Sequence, residues 1–164
     1  MTGMLARYCL QCGSPLENSE YAGRVRPVCP NCGWVYFPDP KVAVVTVIEK
    51  DAKLLFVRRR INPFRGLWTL PAGFLDAGED PVRAAAREVR EETALEVEIT
   101  ELLGLISGQE YEKGAHLLLV YRGEITGGEI KPGDDVDRAK FFPADDPPPL
   151  AFQSTPRVLE IAGY

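Results

Sequence analysis

Residues 73–95 read GFLDAGEDPVRAAAREVREETAL, and the glutamates at 79, 88, 91 and 92 decide what is built around them. Glu88, Glu91 and Glu92 stand at i, i+3 and i+4, which on a 3.6-residue helix gathers three carboxylates on one arc of about 100°. Like charges so placed repel by about 0.2–0.5 kcal/mol per pair in an isolated helix, so the cluster makes most sense around a cation. Hard carboxylate oxygens suit Mg2+ or Mn2+. The helix is well signalled: Asp80 is its cap, Pro81 its first residue, and Val82, Ala85, Ala86 and Val89 its predicted buried stripe. The acidic arc is expected beside that stripe, facing solvent. Arg87, next to Glu88 and four residues before Glu91, can orient a ligating carboxylate. Glycines at 73 and 78 keep the preceding loop supple. Gly73 would let the backbone pass close to a metal, to which the Ala72 carbonyl could offer an oxygen.

These residues carry a resemblance. The stretch resembles the Nudix box, G-x5-E-x7-R-E-U-x-E-E-x-G-U with U aliphatic, and matches eight of its nine specified positions: Gly73, Glu79, Arg87, Glu88, Val89, Glu91, Glu92 and Leu95. Ala94 replaces the glycine. A left-handed helix exit through alanine would cost about 1 kcal/mol, so a different exit is expected.

The resemblance implies hydrolysis of a nucleoside diphosphate linked to another moiety. Glu79, Arg87, Glu88, Glu91 and Glu92 form the implied catalytic set. Glu88, Glu91, Glu92 and the Ala72 carbonyl, helped by Glu79, would hold two or three Mg2+ or Mn2+ ions that bridge the pyrophosphate and a water. Such ions neutralise phosphoryl charge and align the water for in-line attack. A general base comes from a box glutamate or a later acid; Glu79, Glu110, Glu112, Asp134 and Asp135 all stay open.

All four cysteines fall in two pairs, CLQCG with Cys9 and Cys12, and CPNCG with Cys29 and Cys32, with sixteen residues between them. The glycine after each pair permits the positive-φ turn of a zinc knuckle. Four thiolates leave no open coordination position, so a structural Zn2+ is expected rather than a catalytic one. Two disulfides are the other arrangement. Against them, MTGMLARYC has no apolar signal core, and a cytoplasmic location is expected. The reading divides the chain into a ribbon over 1–38 and a hydrolase domain over 39–164. Residues 1–40 balance Arg7, Arg24 and Arg26 against Glu17, Glu20 and Asp39, leaving the net charge of −5 to the rest. No basic stripe marks a nucleic-acid partner and no apolar run reaches the roughly 18 residues of a membrane span, while a homodimer is compatible with the sequence.

VAVVTVIEK (42–50) and LLFVRRR (54–60) read as a hairpin of buried strands. Further strands are expected over 97–106, 116–121 and 139–142, and Ser154 and Thr155 before Pro156 signal a last helix docked by Val158, Leu159 and Ile161. This order suits an α/β (α+β) class, a mixed sheet between helices, as the Nudix α/β/α sandwich has.

On the substrate side, Arg59 points oppositely to Arg58 and Arg60 in an extended strand and is the preferred pyrophosphate contact. Phe64, Trp68 and Tyr111 could stack on a base or an isoalloxazine ring, although Trp68 also suits core packing. His116 reads as structural. Over its whole length the chain resembles zinc-ribbon Nudix pyrophosphatases acting on ADP-linked metabolites, best the plant-plastid type that hydrolyses FAD and ADP-ribose, through GLWTLPAGFLDAGE and Leu150-Ala151-Phe152-Gln153-Ser154. The S-Q-P-W-P-F-P-x-S motif of NADH pyrophosphatases, which also remove NAD caps from RNA, is missing: the region reads ISGQEYEKGAH. That makes NADH or capped RNA the alternative substrate. A non-catalytic nucleotide-sensing module is the other functional class, and four intact box glutamates argue against it.

Overall fold

The computed structural model describes residues 6–164; Met1–Leu5, part of the stretch without a signal core, lie outside them. Two compact units result, one reaching to Pro40 and one running from Lys41 to Tyr164.

In the first unit β1 (Glu17–Tyr21) and β2 (Arg24–Val28) form an antiparallel hairpin. Ala22 and Gly23, both at positive φ, make its two-residue turn. Cys9 and Cys29 are buried there, while Tyr8, Leu10 and Val25 stay exposed. So little buried apolar surface leaves the hairpin short of a core of its own.

The second unit is built on β3 (Val42–Lys50) and β4 (Lys53–Arg59), joined through Asp51 and Ala52 at positive φ. Their pairing covers only Glu49–Leu54 and Lys50–Lys53, so the expected hairpin opens almost at once. Beyond it β3 pairs in parallel with β8 (Leu117–Gly128) and antiparallel with β6 (Ala72–Phe74). β7 (Leu95–Ser107) adds to the outer side of β8, and β4 pairs with β5 (Trp68–Thr69) and β9 (Val136–Pro143). The sheet is therefore mixed, with α1 (Pro81–Thr93) and α2 (Ser154–Ala162).

The nearly continuous apolar run of β3, interrupted before Glu49 by Thr46 alone, follows from burial on both faces. Val45 and Val47 pack with Val158, Leu159 and Ala162 of α2, whereas Val44 packs with Ala84 and Ala85 of α1 and Ile48 with Val89. On α1 the buried face is Ala84, Ala85, Val89, Glu92 and Thr93. The expected stripe is thus rotated: Val82 is exposed and Glu92, expected to face solvent, lies inside at 3% exposure.

Candidate active site

Helix α1 starts where Asp80 accepts hydrogen bonds from the N–H groups of Val82 (3.0 Å) and Arg83 (3.1 Å). Two turns later its carboxylates gather around one cation. Arg87 donates to both oxygens of Glu79 at 2.7 and 2.9 Å, to Glu88 Oε1 at 2.7 Å, to Glu91 Oε2 at 3.1 Å and to the Phe74 carbonyl at 3.2 Å. That bidentate grip holds Glu79 down to about 2. Arg87 therefore joins the loop before the helix to the helix's acidic face.

Glu88 and Glu92 behave oppositely. Burial raises Glu88 above the usual carboxylate range, against the pull of Arg87. Glu92 lies well above that range through burial first, then the charges of Asp135 and Glu88, and its Oε2 accepts from the Ala72 N–H at 3.1 Å. Glu88 Oε2, Glu91 Oε1 and Glu92 Oε1 accept no hydrogen bond among the described residues. A divalent cation fits this donor set: hard oxygens, each residue with one free, on side chains that repel one another's ionisation. Among the described residues, only the cysteines bring three or more metal-donor atoms within 4.8 Å of one another.

Gly73 has a sharper purpose than loop suppleness. A Cβ built there would lie 2.0–2.2 Å from the Glu88 carboxylate, so that carboxylate occupies the space the glycine leaves open. Gly133 does the same for the loop after β8. A Cβ there would come within 2.6 Å of the Glu91 carbonyl, and the Gly133 and Lys131 N–H groups donate to the carbonyls of Glu92 (3.1 Å) and Thr93 (2.8 Å). Docked on the end of α1, the loop brings Asp134 and Asp135 beside Glu88 and Glu92. The helix then exits through Ala94 at φ 58°, so the left-handed exit is kept despite the alanine.

A cavity of about 1340 Å³ is lined by Ala72, Glu88, Glu91 and Asp135 of this cluster, by Tyr111 and Phe152, and by Arg59, which reaches toward both groups. Glu92 and Glu79 stand behind its wall. Arg59 donates to the Pro63 carbonyl at 2.9 Å, lies 3.8 Å from Asp135 and sits over the Phe152 ring at 5.4 Å. Its neighbours turn elsewhere, Arg58 to Asp137 at 2.7 and 2.9 Å and Arg60 to the Asp134 carbonyl. Tyr111 and Phe152 are nearly parallel, 21° apart with centroids at 6.2 Å. Phe64 does not line the cavity and packs edge-on against both rings, at 5.9 and 5.3 Å. Trp68 does not line it either: it packs on Phe142 at 4.9 Å against the core. Its backbone ties down the strand-like segment before Phe152, through Trp68 N–H to the Pro149 carbonyl (2.9 Å) and Ala151 N–H to the Trp68 carbonyl (2.7 Å).

Phe152 is the residue that sequence reasoning missed as a contact. Only its place in the Leu150–Ser154 segment marked it, because nothing local tells which distant ring it will face. His116 accepts the Lys41 N–H at its Nδ1 (3.0 Å), a tether between strand ends. Of the general-base candidates, the late acid Glu110 spends both oxygens on the start of α2, and the box glutamate Glu79 spends both on Arg87.

Residues 38–160 match the family model described as NUDIX domain. The chain belongs to the Nudix hydrolases. It is 42% identical to an ADP-ribose pyrophosphatase of Methanocaldococcus jannaschii over 69% of this chain and 68% of that protein. It is 32% identical to the NAD-capped RNA hydrolase NudC of Stutzerimonas stutzeri over 93% of this chain, and spans about half, 54%, of that relative's length. A crystal structure of a NUDIX hydrolase from Nitrosomonas europaea superposes with a TM-score of 0.81 at 31% identity, covering 94% of this chain and 89% of that one.

In the first unit of this Nudix chain the four sulfurs lie within 4.8 Å of one another, with Cys9–Cys32 and Cys12–Cys29 at 3.5 Å. Zinc–sulfur bonds of about 2.3 Å in a tetrahedron would set the sulfurs about 3.8 Å apart, and all four cysteines are free of disulfides. The knuckle turns are formed. Gly13 and Gly33, at φ 74° and 76°, donate to the carbonyls of Cys9 and Cys29, each at 2.9 Å. Among the described residues no helix is long and apolar enough to cross a membrane.

Proposed function

We propose that this Nudix hydrolase cleaves the pyrophosphate bond of ADP-linked nucleotides, ADP-ribose and FAD foremost, to AMP and the other phosphomonoester. One observation carries the reading: a single cavity joins the glutamate cluster to two nearly parallel aromatic rings, with Arg59 between them. A dinucleotide-like substrate needs those three features in that order. Its rings stack, its pyrophosphate meets a guanidinium, and its scissile bond reaches the acids. The relative named ADP-ribose pyrophosphatase supports the choice of ADP-ribose.

Glu88, Glu91 and Glu92 would hold the divalent ions, Mg2+ or Mn2+, which when bound supply charge neutralisation at the phosphoryl oxygens and a water of lowered pKa. Arg87 keeps Glu88 and Glu91 from rotating away and fixes Glu79 behind them. Asp134 and Asp135, whose charges act on Glu88 and Glu92, line the cavity, and the proton of the attacking water passes to one of them. Arg59 holds the pyrophosphate while Tyr111 and Phe152 exclude water from the ring face. The four cysteines would hold one structural Zn2+.

A second reading, hydrolysis of NADH or of NAD caps on RNA, draws support from the NudC relative, whose likeness runs through the cysteine unit as well. The test is a panel of ADP-ribose, FAD, NADH, NAD and nucleoside triphosphates with Mg2+ or Mn2+, products identified by mass. ADP-ribose or FAD should have the highest kcat/KM. NADH ahead by about tenfold, a difference of 1.4 kcal/mol in transition-state binding, would select the second reading.

A further inference from the structure

The loop between β7 and β8 is folded on itself yet fastened to its surroundings at few points. Gly108 turns it at φ 132°, a backbone open to glycine, and Gln109 Nε2 braces it from within by donating to the carbonyls of Glu112 (2.9 Å) and Gly114 (3.1 Å). Tyr111 lies over Gly114 so closely that a Cβ there would stand 2.9 Å from its ring. These contacts shape the loop without anchoring it. Outside the loop, Lys41 Nζ reaches the Lys113 carbonyl at 3.3 Å in one exposed hydrogen bond, and the Lys41 backbone holds His116 at the loop's far end, its N–H donating to Nδ1 at 3.0 Å and its carbonyl accepting the His116 N–H at 2.8 Å. The strongest tether is Glu110, whose Oε2 and Oε1 accept from the N–H groups of Gln153 (2.8 Å) and Ser154 (2.7 Å), 43 and 44 residues away.

That contact answers a need on the other side. Helix α2 has no side-chain cap of its own: Gln153 precedes it in the helical region and makes no capping hydrogen bond. Its first N–H groups, carrying the positive end of the helix dipole, would otherwise rely on water. Charge-assisted bonds of this length are about twice as strong as neutral ones. They also join the two segments that supply the cavity's parallel rings, because Tyr111 follows Glu110 and Phe152 precedes Gln153.

We propose that Glu110 is a positioning residue whose carboxylate latches the 108–115 loop to the start of α2 and so holds Tyr111 parallel to Phe152 as one ring-binding clamp. The inference rests on the reading that these rings bind substrate.

Glu110→Ala removes both acceptors and Glu110→Gln keeps one. In the full-length protein without nucleotide, trypsin should cut after Lys113 about fivefold faster in Glu110→Ala, with Glu110→Gln between it and the unaltered chain, because cleavage follows the population of the released loop. For ADP-ribose, KM should rise about tenfold in Glu110→Ala while kcat stays within about threefold. Mere capping of α2 predicts something else: faster cleavage after Arg157, within the helix, and an unchanged rate at Lys113. That outcome overturns the latch, as do unchanged KM and cleavage, or a hundredfold loss of kcat at constant KM, which would make Glu110 a proton carrier. If the unaltered chain turns over none of the nucleotides, the proposed function has failed and the Lys113 cleavage rates alone decide the latch.

Discussion

The two ends of the cavity are made in different ways. At the acidic end Glu88, Glu91 and Glu92 come from adjacent turns of one helix, and Arg87 reaches Glu79, Glu88 and Glu91 from the same helix. At the ring end Arg59, Tyr111 and Phe152 come from three segments held together by a backbone bridge at Trp68 and a carboxylate at Glu110. An end built within one helix is rigid and unforgiving; an end built from loops can tolerate change. Changes at the first should strike kcat, and changes at the second KM.

The largest effect tests the acidic end. Glu91→Gln and Glu92→Gln should each lower kcat by about two decades or more, since each removes a charge that works in the transition state. Their structural consequences should differ. Glu91 is exposed, so its loss leaves Tm unchanged, whereas Glu92 is buried with its ionisation disfavoured, so glutamine, which can still accept the Ala72 N–H without the buried charge, should raise Tm. Near-normal turnover in both variants, measured with Mg2+ and with Mn2+, would dissolve the contrast between the two ends.

A smaller loss should follow from Gly73→Ala. Its Cβ would displace the Glu88 carboxylate from a position 2.0–2.2 Å away, and Arg87 shares that carboxylate. Because a shift of about 1 Å can cost up to a hundredfold, kcat should fall by about tenfold or more with KM little changed. An alanine variant of full activity would mean that Glu88 works from another rotamer.

How much of this could be read in the chain follows the same division. The capped helix, the three carboxylates and the arginine hub were legible because helical neighbours lie three and four residues apart in sequence. Burial of Glu92 was not. It depends on which face of α1 meets the sheet, and two alanines at 84 and 85, rather than Val82, settle that by letting the helix approach closely. The strand positions in β3, β7 and β9 were legible from apolar runs, but the parting of β3 from β4 was not, since each finds its partners far along the chain. The ring end was only partly legible for the same reason. Tyr111 and Arg59 could be picked as types, while the facing of Tyr111 to Phe152 and the capping of α2 by Glu110 span about forty residues.

At the ring end, Phe152→Ala should raise KM for ADP-ribose about tenfold, in keeping with stacking worth about 1–3 kcal/mol, and change kcat by less than about threefold. Trp68→Ala is the control. Its ring packs on Phe142 away from the cavity, so the variant should lose several degrees of Tm before it loses affinity. A larger KM effect from Trp68 than from Phe152 would return the tryptophan to the binding surface.

The smallest effect lies where the two kinetic signatures should both be silent. Ala94 ends α1 at φ 58° and ψ 13°, a conformation in which an L side chain crowds the backbone and glycine does not. Ala94→Gly relieves that strain but gives the unfolded chain more freedom, and the two terms partly cancel. A net gain of about 0.5 kcal/mol is expected, or about 1–2 °C in Tm for a chain of this size, with kcat and KM unchanged. The kinetic silence is the informative part. Glu91 and Glu92 sit three and two residues away, but the Gly133 and Lys131 N–H groups already hold the carbonyls of Glu92 and Thr93, so the end of the helix is fixed from outside. If Ala94→Gly altered kcat, the exit would be helping to aim those carboxylates, and the rigidity of the acidic end would depend on strain at its last turn.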